Sequence, residues 1–244
     1  MSEILSDPGE DVIDRLSAAL EHDEWINVHK YPLRIRAKDG RLFLEGTVEN
    51  VAAKRRALVL AQQIVKERWP IEDLLRRKPT EHLGDRQLRD KVVKKLSTEP
   101  TFSEYTLRTR TDDKVETVHD AGPGAHEIVV HVDNGAVRLT GSVGSLSHWR
   151  LAEVLVWWTY ACETLDNQLE VRPPEEDTDD EITDAVRIVL EKDPLVHADQ
   201  VRVGTAGAVV HLDGLVASEI EKKYAVLDAW AVPGVWDVVD RIKV

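Results

Sequence analysis

The chain has 244 residues, room for one large domain or two to three small ones. Its hydrophobic fraction of 42% and charged fraction of 32% suit a water-soluble globular protein, and no apolar run approaches the ~20 residues of a membrane span. The formal net charge of -13 argues against nucleic acid, whose binding needs Lys and Arg to neutralise phosphates, and weakens any attraction to anionic lipid.

The N-terminus, "MSEILSDPGEDV", is acidic and has no apolar signal region or early Cys for lipid attachment, so a cytoplasmic setting is expected. "DPGE" places an N-cap at Asp7, Pro8 at the first helical position and Glu10 two residues further on. Val12, Leu16, Ala19 and Leu20 then form one apolar stripe of a helix. "AKDGRLFLEGTV", residues 37–48, reads as a hairpin. A second helix follows, capped by Asn50 and carrying Ala57 and Ala61 inward, and "RWPIEDLLRRK" is a degraded closing strand.

The same phrase then recurs. A helix with Leu88, Val92 and Leu96 precedes "VDNGAVRLTGSV" at 132–143, a helix capped by Ser145 with Ala152 and Val156 inward, and "YACETLDNQLEV". Between the first helix and this hairpin lies an insertion, about 101–126, whose "YTLRTRTDDKVETV" alternates around Asp112-Asp113 and reads as an extra hairpin. The acidic, proline-bearing "RPPEEDTDD", Arg172 to Asp180, is a linker. The third copy opens with the capping box "TDDE" and the stripe Ile182, Val186, Val189 and Leu190. It continues through "GTAGAVVHLDGLV", the capping box "SEIE", Ala225 and Ala229, and "VPGVWDVVDRIKV".

Repetition in register predicts an α+β fold of three tandem two-layer units. Each is expected to run αββαβ, with a three-stranded mixed sheet covered by two helices. The expected bounds are 8–79, 85–172 and 178–244. The glycines fit structural roles. Gly40 and Gly135 serve positive-φ turn positions. Gly46, Gly141 and Gly214 are expected where a strand ends and the next helix begins, and Gly234 in the closing turn.

Little of the sequence points to chemistry. His119, Asp120, His126, Glu127, His131 and Asp133 cluster near the insertion without a recognised ligand spacing, so no metal site is expected. "SVGSLSHW" offers Ser142, Ser145, Ser147 and His148, but Ser145 is explained by capping and the other copies lack the histidine. No phosphate-binding or nucleophile motif is present, so neither an enzyme nor a cofactor is expected. Cys162 falls where Val235 falls in the third copy and reads as a small buried hydrophobe. The basic stretches "RRK", Arg76 to Lys78, and "LRTRT", Leu107 to Thr111, read as solvated surface.

The opening helix, the D-G-x-V-x-L-x-G-x-V hairpin, the Ala-rich helix and the P-G-V-x-x-V-x-(N/D)-x-(L/I)-x-V ending resemble the BON domain. The third copy carries Pro233, Gly234, Val235, Val238, Asp240, Ile242 and Val244. The second carries Leu165, Asn167, Leu169 and Val171, and the first Asp39, Gly40, Leu42, Leu44 and Gly46. The resemblance implies αββαβ topology. It also implies a non-enzymatic bacterial binding or scaffold protein of the stress or envelope-maintenance type, with phospholipid or a protein as partner. The alternative it offers is a cytoplasmic small-ligand or ion sensor, as in a potassium-responsive relative.

Two tryptophans complete the reading. With Ala152 and Ala225 at the centre of each second helix's core face, Trp157 and Trp230 lie about 140° away and point outward. Neither is expected in the core of its own unit. Either packing between units or subunits, or a partner or membrane contact, would cover them.

Overall fold

The structure, a computed structural model, describes residues 7–66, 68–111 and 114–244. It is a mixed α+β protein with six α-helices and three mixed sheets among those residues. The chain divides between Lys78 and Pro79 into two compact units, and the second of these holds both the second and the third repeat.

The first unit contains α1 (Glu10–His22), β1 (Leu33–Lys38), β2 (Arg41–Val48), α2 (Val51–Val65) and β3 (Ile71–Arg77). β1 pairs antiparallel and β3 parallel to the central β2, with Leu42 opposite both Ala37 and Ile71. Val12, Leu16 and Leu20 of α1 and Ala57 and Ala61 of α2 bury against Leu42, Leu44 and Leu75 of the sheet. The alanines lack bulk beyond Cβ, which lets α2 lie close on the strands. The closing strand thus forms here without the P-G-V turn.

The second repeat contains α3 (Asp85–Ser97), β4 (Thr106–Thr111), β5 (Lys114–His119), β6 (Glu127–Asp133), β7 (Ala136–Val143), α4 (Leu146–Trp157) and β8 (Thr164–Val171). Its sheet has five strands, ordered β5-β4-β6-β7-β8, not three. The inserted segment forms the antiparallel pair β4–β5, and β4 adds parallel to β6 at what would have been a free edge. The Asp112-Asp113 turn lies outside the described residues. The third repeat contains α5 (Asp179–Lys192), β9 (Val201–Ala206), β10 (Val209–Leu215), α6 (Glu219–Ala231) and β11 (Asp237–Lys243), with sheet order β11-β10-β9.

Two local expectations are corrected. Asp7 does not cap α1, whose N-cap is Gly9 without a side-chain bond. Its carboxylate instead accepts the Gly40 amide of the β1–β2 turn at 2.6 Å. The other repeats use the same clamp. Asp85 accepts the amides of Asn134 and Gly135 at 2.8 and 2.9 Å, and Asp179 those of Gly207 and Ala208 at 2.7 and 2.8 Å. Each carboxylate therefore ties the start of a first helix to the turn of the following hairpin. The second correction concerns Gly46, Gly141 and Gly214, which sit inside β2, β7 and β10. A Cβ at Gly141 would strike the carbonyl oxygen of Glu127 on β6, and one at Gly214 that of Gln200 just before β9, so these glycines permit close backbone approach. Gly40 and Gly135 lie in the turns at φ 70° and 74°, and Gly234 at φ 92° in the turn after α6.

Candidate functional site

The helices cover one face of the five-stranded sheet, where Leu107, Ile128, Val130, Val137 and Leu139 are buried. Alternate residues of β4, β6 and β7 point to the other face. There the register sets two rows. One runs Arg110, His131, Arg138, Asp166, and the other Arg108, Val129, Thr140, Gln168. Val129 is buried although it lies on this open face.

A groove of about 710 Å³ follows this face and the start of α3, lined by Asp85, Arg86, Arg89, Arg110, Thr111, His131, Asp133, Arg138 and Thr140. Four guanidinium groups meet two carboxylates there. Both carboxylates are engaged locally, Asp85 by the turn amides and Asp133 by the Asn134 side-chain amide at 3.0 Å. Arg138 donates to Asp166 at 2.8 Å, and Arg89 donates to Thr111 Oγ1 and lies 3.5 Å from Asp90. Arg86 and Arg110 make no side-chain hydrogen bond or ion pair among the described residues. His131 Nδ1 is 3.2 Å from the Arg110 carbonyl. A carbonyl only accepts, so Nδ1 carries a proton and Nε2 is the ring's other polar atom. The "LRTRT" stretch is thus not simply solvated surface: Leu107 and Thr109 are buried, while Arg110 and Thr111 line the groove.

The remaining candidate residues separate. His119 Nε2 bonds the Ser103 carbonyl at 3.0 Å, and Glu127 pairs with Arg108 at 3.1 Å. Among the described residues, no three His, Cys, Asp or Glu side chains converge to hold a metal ion. Tyr105 joins the other histidines. Its hydroxyl accepts the Gly144 amide at 2.9 Å and shares a hydrogen bond of 2.6 Å with His148 Nδ1, and its ring stacks on His126. Burial lowers the His148 pKa and raises that of Tyr105, which suits a neutral, fixed pair. Ser142 lies 3.2 Å from His126 Nδ1, yet no carboxylate among the described residues orients that ring for base catalysis. Ser145 caps α4, and Ser147 donates to Glu181 at 3.3 Å. Cys162 is fully buried, as is Val235 at the matching position.

No local sequence signal marks the join between the second and third repeats. Arg150, 1% exposed, donates to the Pro233 carbonyl at 2.9 Å and to Asp177 at 2.5 Å. Lys192 pairs with Glu99 at 2.7 Å. Asp228 of α6 is 3% exposed and faces the Asp193 carboxyl and the Trp158 indole. Burial first, and Asp193 second, push its pKa up to about 9. Trp157 and Trp230 are 4% and 0% exposed, so neither forms an open surface in this state. The side of each helix that carries the tryptophan is covered within the protein. In the fold α4 also meets α3, α5 and β8, and α6 also meets α5 and β11.

Comparison with known proteins identifies the repeats. A family model, the BON domain, matches residues 10–79, 116–173 and 178–244. Two solved structures of CdsD, a structural protein of the type III secretion system of Chlamydia trachomatis, are similar at TM-score 0.24. One, a C-terminal domain, is 15% identical, covering 97% of this chain and 99% of that one; the other is 16% identical, covering 96% and 91%. No curated protein matches the chain.

Proposed function

This chain belongs to the BON domain family, and from that premise we propose that it is a non-enzymatic binding or scaffold protein of the bacterial stress or envelope-maintenance type. It acts through the surfaces of its BON units, and the second unit engages an anionic partner, a phospholipid headgroup or an acidic protein patch. One observation carries this reading: a groove with four arginines, two of them without side-chain partners among the described residues, in a chain of net charge -13. A positive concavity on an otherwise negative body focuses anions onto itself. A cytoplasmic setting is part of the proposal, with Cys162 as a buried thiol. No helix among the described residues is long and apolar enough to cross a membrane.

The test is an amide NMR titration of the full chain. The probes are citrate, a short polyglutamate peptide, inorganic pyrophosphate, and vesicles of phosphatidylcholine with and without phosphatidylglycerol. At least one anionic probe should move the amides of Arg110, His131 and Arg138, with added salt reversing the change. If no probe moves them, the anionic-partner reading is wrong.

A further inference from the structure

We infer that the groove of the second unit is a site for a phosphate ester, which deepens the anionic-partner reading and rests on it. The arginines come from three separate elements: Arg86 and Arg89 from α3, Arg110 from β4 and Arg138 from β7. A carboxylate has two coplanar oxygens, and one arginine fork satisfies both. A phosphate group presents peripheral oxygens in three directions, so it is the anion that engages guanidinium groups arriving from different sides. Arg110 and Arg138 stand on either side of β6, about 10 Å apart at their Cα atoms from two strand spacings. The side chain between them is His131. Nδ1 is spent on the Arg110 carbonyl, so Nε2 is the ring atom left to hydrogen-bond a phosphate group.

The volume argues for more than a bare ion. At about 710 Å³ the groove is the size of a small-molecule site, with space for an organic body beside the phosphate. The net charge bears on where that phosphate comes from. A body carrying -13 is repelled by an anionic bilayer as a whole, whereas a small ester reaches the groove and meets only the local field. A soluble ester and a lipid headgroup nevertheless share the recognising chemistry.

Calorimetric titration of the full chain with inorganic pyrophosphate tests the assignment, with citrate as the carboxylate comparator. Three variants accompany it: Arg110→Gln, Arg86→Gln with Arg110→Gln, and Arg34→Gln on the first unit as control. Arg86, Arg110 and Arg34 are all exposed, so the substitutions leave folding intact. Pyrophosphate should bind at least about tenfold more tightly than citrate, and the double variant should weaken it by at least about tenfold, the worth of a charged hydrogen bond. Arg34→Gln should bind as the unchanged chain does. Flotation with phosphatidylcholine vesicles, with and without phosphatidic acid, separates the sources. Groove-dependent flotation assigns a lipid headgroup, and pyrophosphate binding without flotation assigns a soluble ester. Absence of pyrophosphate binding, equal binding of citrate, or full binding by the double variant overturns the phosphate assignment. Citrate or polyglutamate binding at the groove without pyrophosphate would overturn it while leaving the anionic-partner reading in place.

Discussion

Asp228→Asn is expected to stabilise the protein, and to do so more as pH rises. Asp228 is 3% exposed, faces Asp193, and has its pKa pushed up from 3.8 to about 9. In the folded state it therefore holds its proton at neutral pH, while in the unfolded chain it ionises. An acid with a raised folded pKa leaves stability untouched below its unfolded pKa. Between the two pKa values, stability falls by about 1.4 kcal/mol for each pH unit. From 3.8 to pH 7 that amounts to about 4 kcal/mol, the upper bound on what a neutral isostere recovers there. At pH 5 the same arithmetic leaves less than half of that. Urea unfolding of both chains from pH 5 to pH 8 measures the difference, since every other titrating group is common to the two. The gap between the curves should widen steadily with pH. Parallel curves, or an Asn variant less stable at pH 8, would refute the argument that Asp228 is protonated in the fold.

Three further outcomes follow from the packing. Asp179→Ala should cost about 2–3 kcal/mol, because two amides of the β9–β10 turn lose a charged acceptor, and hydrogen exchange at Gly207 and Ala208 should quicken. Ala208→Gly should raise stability by up to about 1 kcal/mol in a urea melt, because Ala208 sits at φ 61° where a Cβ is disfavoured. Trp157→Gln and Trp230→Gln should each cost about 3 kcal/mol or more, since both rings are buried; a loss under about 1 kcal/mol would show that the rings carry little of the packing.

Much of the fold was legible because periodicity and turn chemistry are local. The stripes Val12, Leu16, Leu20 and Ile182, Val186, Leu190 all came out buried, and Asn50, Ser145, Thr178 and Ser218 all cap helices. Asp7 misled because an Asp before Pro satisfies the local capping pattern, whereas its partner lies 33 residues away. The glycines misled for a related reason. Gly141 answers to the carbonyl of Glu127 on another strand, and nothing in its own neighbourhood records that. For Trp157 and Trp230 a helical wheel gives the direction but not the cover: both rings are buried, on helices that each also meet α5.

The groove was illegible for a deeper reason: it exists only through register. "LRTRT" shows that Arg108 and Arg110 share a face, and "HVD" and "VRL" contribute His131 and Arg138, but no local signal aligns the three segments. That alignment depends on β4 adding parallel to β6, a pairing made by the insertion. The other two sheets have three strands and lack this addition. In the first unit, Arg36 on the open edge is spent on Glu45 and on the Phe43 ring. In the third unit, the positions matching His131 and Arg138 are Gly204 and His211, so that face has neither arginine. Only in the second unit does an added strand set an arginine, without a side-chain partner among the described residues, beside a histidine. The same insertion that interrupts the repeat pattern builds the site.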